Sequence, residues 1–567
     1  MGWYQGIIQD ITSLINHELS EPLVSLTDLV IPPQKEWGDL GWPCFAAARK
    51  LGCLPGELAE RLVTKLSTKE HPAIAGWQAV GPYLNVNLRG ELLLDKIVKE
   101  IESAGSQYGA INSGQGRKIM IEYSNVNTHK DYHVGHLRNL CLGDSLTHLL
   151  NFSGYKAIPV SYLNDLGIHA AKVLWKLSQI PENERPRENL GRYLGEIYTQ
   201  ASQELSDDPV GQELVSLILR HLEAKKQPEY GQWQETRQWS LDYFNKIYEE
   251  LDIHFAHTFF ESDFLEQGRK LVQDMLAAGL LEQNDGAILA NLESEGLGVL
   301  LFLRRDGTTL YPVADLPLAQ VKFRDYNIDE SWYVIDERQS LYFKQLAAIL
   351  AKLGFNKPIR HLSYGFVKLR SGLMSSRQGN VITYEALREA LLTQELQEVK
   401  TRHPEWSQEQ IQETAWQVVV GALKFEMVKV SPARPIIFDI PQALSFDGYT
   451  AAYIQYAAVR LASLERQARL KSSGDLSSAG QPNNLEKALI LSLARFSEVV
   501  SQASQAADPA IIAKYLFDLA QDFNNYYQKV RIIGSSEEHW RLRLAAGIRQ
   551  VIINGLALLG IEAPEVM

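Results

Sequence analysis

The chain has 567 residues, enough for three or four domains at roughly 100–200 residues each. Apolar residues make up 45% and charged residues 22%, with 39 glycines and 22 prolines, which excludes collagen-like and largely disordered chains. A formal net charge of −12 argues against polyanion binding by the whole surface and leaves a local basic face as the way to hold phosphates.

The predicted elements, in chain order, begin with a small α+β domain over residues 1–110. Helical spacing runs through residues 4–19 and 46–65, and Gly81-Pro-Tyr-Leu-Asn-Val-Asn-Leu88 alternates with the period of a strand. A turn-rich linker, Asn112-Ser-Gly-Gln-Gly-Arg117, leads into a buried strand at 118–123. Leu137, Leu140, Leu142, Leu146 and Leu149 then mark a helix over 133–151, and residues 157–163 read as a second strand. Strand, helix, strand in so short a span is a βαβ unit, hence a doubly wound, Rossmann-type parallel sheet in a domain covering 111–440. Residues from about 168 to 298 read as a helical insertion, after which sheet-like text returns at 298–303 and 331–335. Residues 441–567 read as an all-α C-terminal domain, in which basic and acidic residues roughly balance.

No apolar run approaches the ~20 residues that span a bilayer; the best, 551–561, is broken by Asn554 and Gly555. No basic stretch leads into an apolar core at the start, so no secretory signal is expected. Cys44, Cys53 and Cys141 form neither a disulfide framework nor a Cys-x-x-Cys zinc pair. The expectation is a soluble, cytoplasmic, multidomain protein without a membrane partner.

The stretch richest in chemistry is Ile121-Glu-Tyr-Ser-Asn-Val-Asn-Thr-His-Lys-Asp-Tyr-His-Val-Gly-His-Leu-Arg138. His133-Val-Gly-His136 falls where a strand's C-terminal end meets a helix N-terminus, the usual ligand position in an open parallel sheet. A helix N-terminus offers free N–H groups and a favourable dipole to phosphate. Two histidines three apart would share a helix face and both bond a polyphosphate, while Gly135 would leave room for a flat base. Far downstream, Gly372-Leu-Met-Ser-Ser-Arg-Gln-Gly-Asn-Val381 is a polar, glycine-bounded loop. Its Ser375, Ser376 and Arg377 suit closure over a triphosphate and neutralisation of developing charge.

In this order, the two stretches resemble the HIGH and KMSKS signatures of class I aminoacyl-tRNA synthetases. Within that class the chain resembles the arginyl-tRNA synthetase family over nearly its whole length. The resemblance is carried by the run from Glu122 to Arg138, Tyr453-Ile-Gln-Tyr-Ala-Ala-Val-Arg460, the ending Gly555-Leu-Ala-Leu-Leu-Gly-Ile-Glu-Ala-Pro-Glu565, and the N-terminal Trp37-Gly-Asp-Leu-Gly-Trp-Pro-Cys-Phe45 and Gly81-Pro-Tyr-Leu-Asn85. It implies arginine activation by ATP, with Mg²⁺ accompanying the nucleotide and no dedicated protein metal site, followed by transfer to the terminal ribose of tRNA(Arg). It implies catalytic roles for Lys130, His133, His136, Met374, Ser375 and Arg377, and ATP binding by His133, Gly135, His136, Ser375, Ser376 and Arg377. A monomer is expected. The common loop signature carries lysine where this chain has Leu373 and Gln378; the resemblance implies that Lys130, three residues before the first histidine, substitutes. Those altered positions keep open a paralogue that binds RNA or regulates without ligating.

A guanidinium needs carboxylates and amide oxygens in a fork geometry. The resemblance gives Tyr311, Asp315 and Gln339 to the substrate side chain, and Glu122, Asn125 and Asn127 to its α-amino and α-carboxyl end. Asn125 stands where the family usually has serine. An anionic pocket leaves lysine as the competing amino acid. Tyr453, Tyr456 and Arg460 have i, i+3, i+7 spacing, so a stacking face for unpaired bases or a core stripe both fit. Tyr83 and Asn85 of the N-terminal domain are further tRNA contacts implied by the resemblance.

Overall fold

A computed structural model describes residues 2–32, 34–369, 382–469 and 481–567. The N-terminal domain opens with α1 (Trp3–Leu19), which buries Ile7, Ile8, Ile11 and Ile15 along one side. Next come β1 (Leu40–Pro43), α2 (Phe45–Leu51), α3 (Pro55–Leu66), β2 (Ile74–Val80), β3 (Tyr83–Leu88) and α4 (Gly90–Ala104). The single helix expected over 46–65 is two helices. Gly52 ends α2 in the left-handed region at φ 69°, and Pro55 starts α3, where its missing N–H costs nothing. The strand expected at 81–88 is the second arm of a hairpin that turns at Gly81, in an antiparallel sheet ordered β1-β3-β2.

The central domain is built on β4 (Lys118–Glu122), α5 (Val134–Phe152) and β5 (Lys156–Leu163), which is the expected βαβ unit. The helices α6 (Ile168–Leu177), α7 (Leu190–Glu204), α8 (Pro209–Glu223) and α9 (Glu229–Glu250) follow. The segment expected to be a helical insertion to about 298 is not helical throughout. Strand β6 (His257–Phe260) joins the main sheet beside β5. After α10 (Glu261–Ala277), β7 (Glu282–Asn284), β8 (Ala287–Leu292) and β9 (Gly298–Leu303) form a separate antiparallel sheet. Four residues are too few to show a period, which hides β6 in the sequence. Strand β9, expected to resume the main sheet, is satisfied by its hairpin partner instead.

The chain returns through α11 (Pro312–Tyr326), β10 (Glu330–Asp336), α12 (Ser340–Lys352) and β11 (Ile359–Tyr364). The main sheet is wholly parallel, ordered β11-β10-β4-β5-β6. From β4 the chain works outward in one direction to β6, then comes back to lay β10 on β4's other side. The β4–β10 boundary is thus the topological switch point, where an open parallel sheet forms its ligand crevice. Next are β12 (Val367–Leu369), α13 (Tyr384–Arg402), α14 (Gln408–Val428), β13 (Ile436–Phe438), which pairs with β12, and α15 (Ile440–Ala443).

The C-terminal region is helical as expected, with α16 (Ala451–Arg469), α17 (Asn484–Ala494), α18 (Phe496–Ala506), α19 (Ala510–Lys529) and α20 (Glu538–Leu558). One continuous apolar core joins Ile11 and Leu58 of the N-terminal domain to Leu137 and Leu146 of α5 and to Leu516 and Ile548 at the C-terminal end. Polar ties cross the same boundaries: Lys487 pairs with Asp39 at 2.6 Å, Arg543 with Glu102 at 2.8 Å, and Ser145 Oγ donates to the Leu558 carbonyl at 2.8 Å. Helix α5 therefore touches the C-terminal helices while its first turn faces the switch point.

Candidate active site

A cleft of about 600 Å³ opens at the C-terminal ends of β4 and β10. It brings together every described residue expected at the amino-acid and nucleotide ends except Lys130: Glu122, Asn125, Asn127, His133, Gly135, His136, Tyr311, Asp315 and Gln339 all line it. Met374, Ser375, Ser376 and Arg377, with Leu373 and Gln378, lie outside the described residues.

His133 is the N-cap of α5, outside the helix proper. Its Nδ1 accepts from the N–H groups of Gly135 at 3.1 Å and His136 at 3.3 Å, and His136 Nδ1 accepts from the His133 N–H at 3.3 Å. This reciprocal cap corrects the expectation of free amides at this helix start, because two of them are already taken by an imidazole. It also assigns the tautomers: with both Nδ1 atoms accepting, each Nε2 carries the hydrogen. Burial drives His133 down to about 4, helped by the nearby Lys130 charge, and pushes His136 well below the usual histidine range. The rings stack at 3.6 Å, which two neutral imidazoles permit and two cations would not. A Cβ on residue 135 would meet the His133 ring at 3.0 Å, so Gly135 makes room for that ring and not, as expected, only for a base.

At the opposite end, Pro312 begins α11 and puts Asp315 in its first turn. Tyr342 donates its hydroxyl to Asp315 Oδ2, while the buried Oδ1 makes no geometric hydrogen bond among the described residues; the Tyr162 hydroxyl, likewise unpaired by geometry, lies near enough to stabilise the carboxylate. Burial raises this carboxyl to about 6, and the Glu122 charge adds to the effect. Tyr311, half exposed, stands at the mouth. Glu122 is 1% exposed, paired by Lys322 and by Asn125 Nδ2 at 2.7 Å. The buried carbonyl oxygens of Asn125 and Asn127 have no partner among the described residues. This end of the cleft thus offers buried acceptors that suit a ligand rich in N–H donors.

Sequence reasoning missed Lys322, Tyr342 and Asn139. Asn139 joins three elements: its side chain accepts from the Ser124 N–H and donates to the Val334 carbonyl. None of the three has a local motif; each is defined by what it meets across the fold. Lys130 does not line the cleft. Its ammonium lies 4.7 Å from the ring centroid of Tyr198 on α7, close enough to both histidines to lower their pKa values.

The expected RNA-facing residues are also resolved into distinct settings. Tyr453 packs against Phe517, with centroids 5.4 Å apart, so it belongs to the edge of the helical core. Arg460 donates to the Tyr456 hydroxyl at 3.0 Å and to Asn524 Oδ1 at 2.8 Å, and lies over the Tyr456 and Tyr527 rings. In the N-terminal domain Tyr83 stands edge-on to the exposed ring of Phe45. Asn85 is only 1% exposed, packed under Gly41 with both amide atoms unpartnered among the described residues.

Residues 97–440 match the family described as tRNA synthetases class I (R), catalytic domain; residues 454–567 match the DALR anticodon binding domain, and 6–88 the arginyl tRNA synthetase N terminal domain. The chain is 36% identical over 555 residues to a protein of Bdellovibrio bacteriovorus named arginine–tRNA ligase, covering 95% of this chain and 94% of that one. It is 30% identical to arginine–tRNA ligase 1 of Bacillus cereus over 571 residues, covering 100% of both. Its fold is similar to the arginyl-tRNA synthetase of Thermus thermophilus, with a TM-score of 0.80 and 26% identity over 99% of this chain and 100% of that one.

Proposed function

The chain belongs to the class I arginyl-tRNA synthetases, which join arginine to tRNA using ATP, and we propose how its cleft divides that work. The substrate's guanidinium takes Asp315, with Tyr311 and Gln339 beside it. The α-ammonium and carboxylate take Glu122, Asn125 and Asn127. ATP lies at the start of α5, where the two Nε2–H groups of His133 and His136 donate to phosphate oxygen. Attack by the arginine carboxylate on the α-phosphorus forms the arginyl-adenylate and releases pyrophosphate; the ribose hydroxyl of tRNA then displaces AMP.

No side chain forms a covalent bond in this scheme. The contribution is orientation and stabilisation of charge by donors set beforehand. Neutral histidines suit that role, since they donate without titrating near pH 7. Lys130 acts on the phosphates from beside the cleft, together with Ser375 and Arg377 of the downstream loop. Mg²⁺ would arrive on the phosphates of ATP as part of that substrate. The enzyme acts in the cytoplasm, with Tyr456 and Arg460 toward tRNA.

The observation that carries the reading is the unpartnered Oδ1 of Asp315 in a buried site. A protein that bound RNA without handling arginine would have no use for a buried carboxylate left open to a cation. The test is aminoacylation of total tRNA with each amino acid in turn. Charging by arginine and not by lysine is expected, and charging by neither would overturn the proposal.

A further inference from the structure

Lys322, on α11, is fully buried and has no direct part in the scheme proposed for the cleft. Its ammonium pairs with Glu122 Oε2 and lies 4.2 Å from the centroid of the Tyr333 ring. Burial disfavours that charge, but Glu122 and Tyr333 outweigh it and hold Lys322 above the ordinary lysine pKa. The other carboxylate oxygen, Oε1, accepts from Asn125 Nδ2 at 2.7 Å. Beyond it, Asn125 Oδ1 is buried, lines the cleft and has no partner among the described residues.

A side-chain amide is a donor at one end and an acceptor at the other, whereas an ionised carboxylate can only accept. Glu122 therefore holds the amino end of Asn125 against itself and turns the carbonyl end away. We infer that Lys322 is a positioning residue: by pairing with Glu122 Oε2 it fixes that carboxylate as the acceptor of the Asn125 amide, so that Oδ1 faces the α-ammonium of the substrate. The inference rests on the proposed binding of arginine in this cleft. Without Lys322, Glu122 loses its counter-charge in a dry site. The amide can then turn over and present N–H groups to a cation, which repels it. A serine at position 125 would rotate its hydroxyl freely and need no such fixing, so the dependence is particular to asparagine here.

The test is calorimetric titration of the full chain with L-arginine and with δ-guanidinovalerate, which keeps the guanidinium and carboxylate but lacks the α-ammonium. Lys322→Met should weaken arginine by about tenfold or more and δ-guanidinovalerate by no more than about twofold, the loss of one charge-assisted hydrogen bond. Lys322→Arg should restore arginine affinity to within about threefold of the parent, since the ion pair is kept. Asn125→Leu, independent of whether the Lys322 variant folds, should show the same selective loss. Equal weakening of both ligands, or of neither, in these variants overturns the relay. If the parent chain binds neither ligand, the arginine reading itself fails.

Discussion

His133 and Thr383 face one another across an antiparallel bridge. On either side, the Val134 N–H donates to the Ile382 carbonyl at 3.2 Å and the Tyr384 N–H to the Tyr132 carbonyl at 2.8 Å. The residues that directly follow the 372–381 stretch are thereby tied to the backbone that carries the first signature histidine. Tyr384 and Arg388 continue the anchor to Glu250 on α9, at 3.0 and 2.6 Å. Two stretches remote in the sequence thus share one short ladder at the cap of α5.

Arginine affinity should depend on pH through Asp315. Its carboxyl is raised to about 6, so below that pH it is protonated and cannot balance a guanidinium. Affinity is expected to fall by about tenfold per pH unit below the pKa and to level off above it. Asp315→Asn should bind arginine at least about two orders of magnitude more weakly and lose this pH dependence. Calorimetry between pH 5 and 8 measures both.

Lys130→Ala should slow arginyl-adenylate formation by about two orders of magnitude, comparable to removing one preorganised donor to a developing anion. Tyr198→Ala, which removes the ring under its ammonium, should cost about tenfold at most, because the charge remains. Arginine affinity should change little in either variant. Single-turnover activation with ATP, arginine and tRNA saturating separates the effects.

Arg460 and Tyr453 should separate binding from stability. Arg460→Ala is expected to weaken tRNA binding and lower the salt slope by about one, as for a single phosphate left without its cation. Tyr453→Ala should instead cost ~1–3 kcal/mol of stability through its packing on Phe517. Filter binding across salt concentrations and thermal melting of both variants provide the measurements.

His129 is buried in a left-handed turn at φ 60°, bonded to Thr128 and Thr236 at 2.8 Å each, and burial lowers its pKa to about 3. In the unfolded chain it titrates near 6.5, so only the unfolded state gains this proton as the pH falls from 6.5. Its contribution to stability therefore declines with acidification, by about 1.4 kcal/mol per pH unit. His129→Asn tolerates the same backbone and carries no titrating group. The stability of the parent relative to this variant should shrink between pH 6.5 and 4.5 in urea titrations; a constant difference would contradict the assignment.

Much of this enzyme is readable in one dimension. The βαβ unit is written in local periodicity, and the histidine and arginine-pocket residues follow motifs whose order and spacing survive in the text. Even so, a motif names residues without saying how they are used. His133 reads as lying on a helix face and proves to be the cap of that helix, because cap geometry depends on the backbone angle at which the chain enters α5. Asn85 reads as an RNA contact and is packed beneath Gly41, because a pleat decides which way an alternating strand turns its side chains.

What the sequence determined by itself was the βαβ unit and the helical C-terminal region, written in short-range spacing, while its motifs carried the resemblance that implied the family and the residues of the cleft. The tertiary structure alone decided which acceptors among them stay free. Glu122 and Lys322 are 200 residues apart in the chain and meet only because β10 returns to lie beside β4, carrying α11 with it. Asp315 accepts from Tyr342 at Oδ2, and its Oδ1 makes no geometric hydrogen bond among the described residues although the Tyr162 hydroxyl stands beside the carboxylate. Charge balance between side chains is a property of distance in space, and distance in space is set by the sheet order, which no local pattern records.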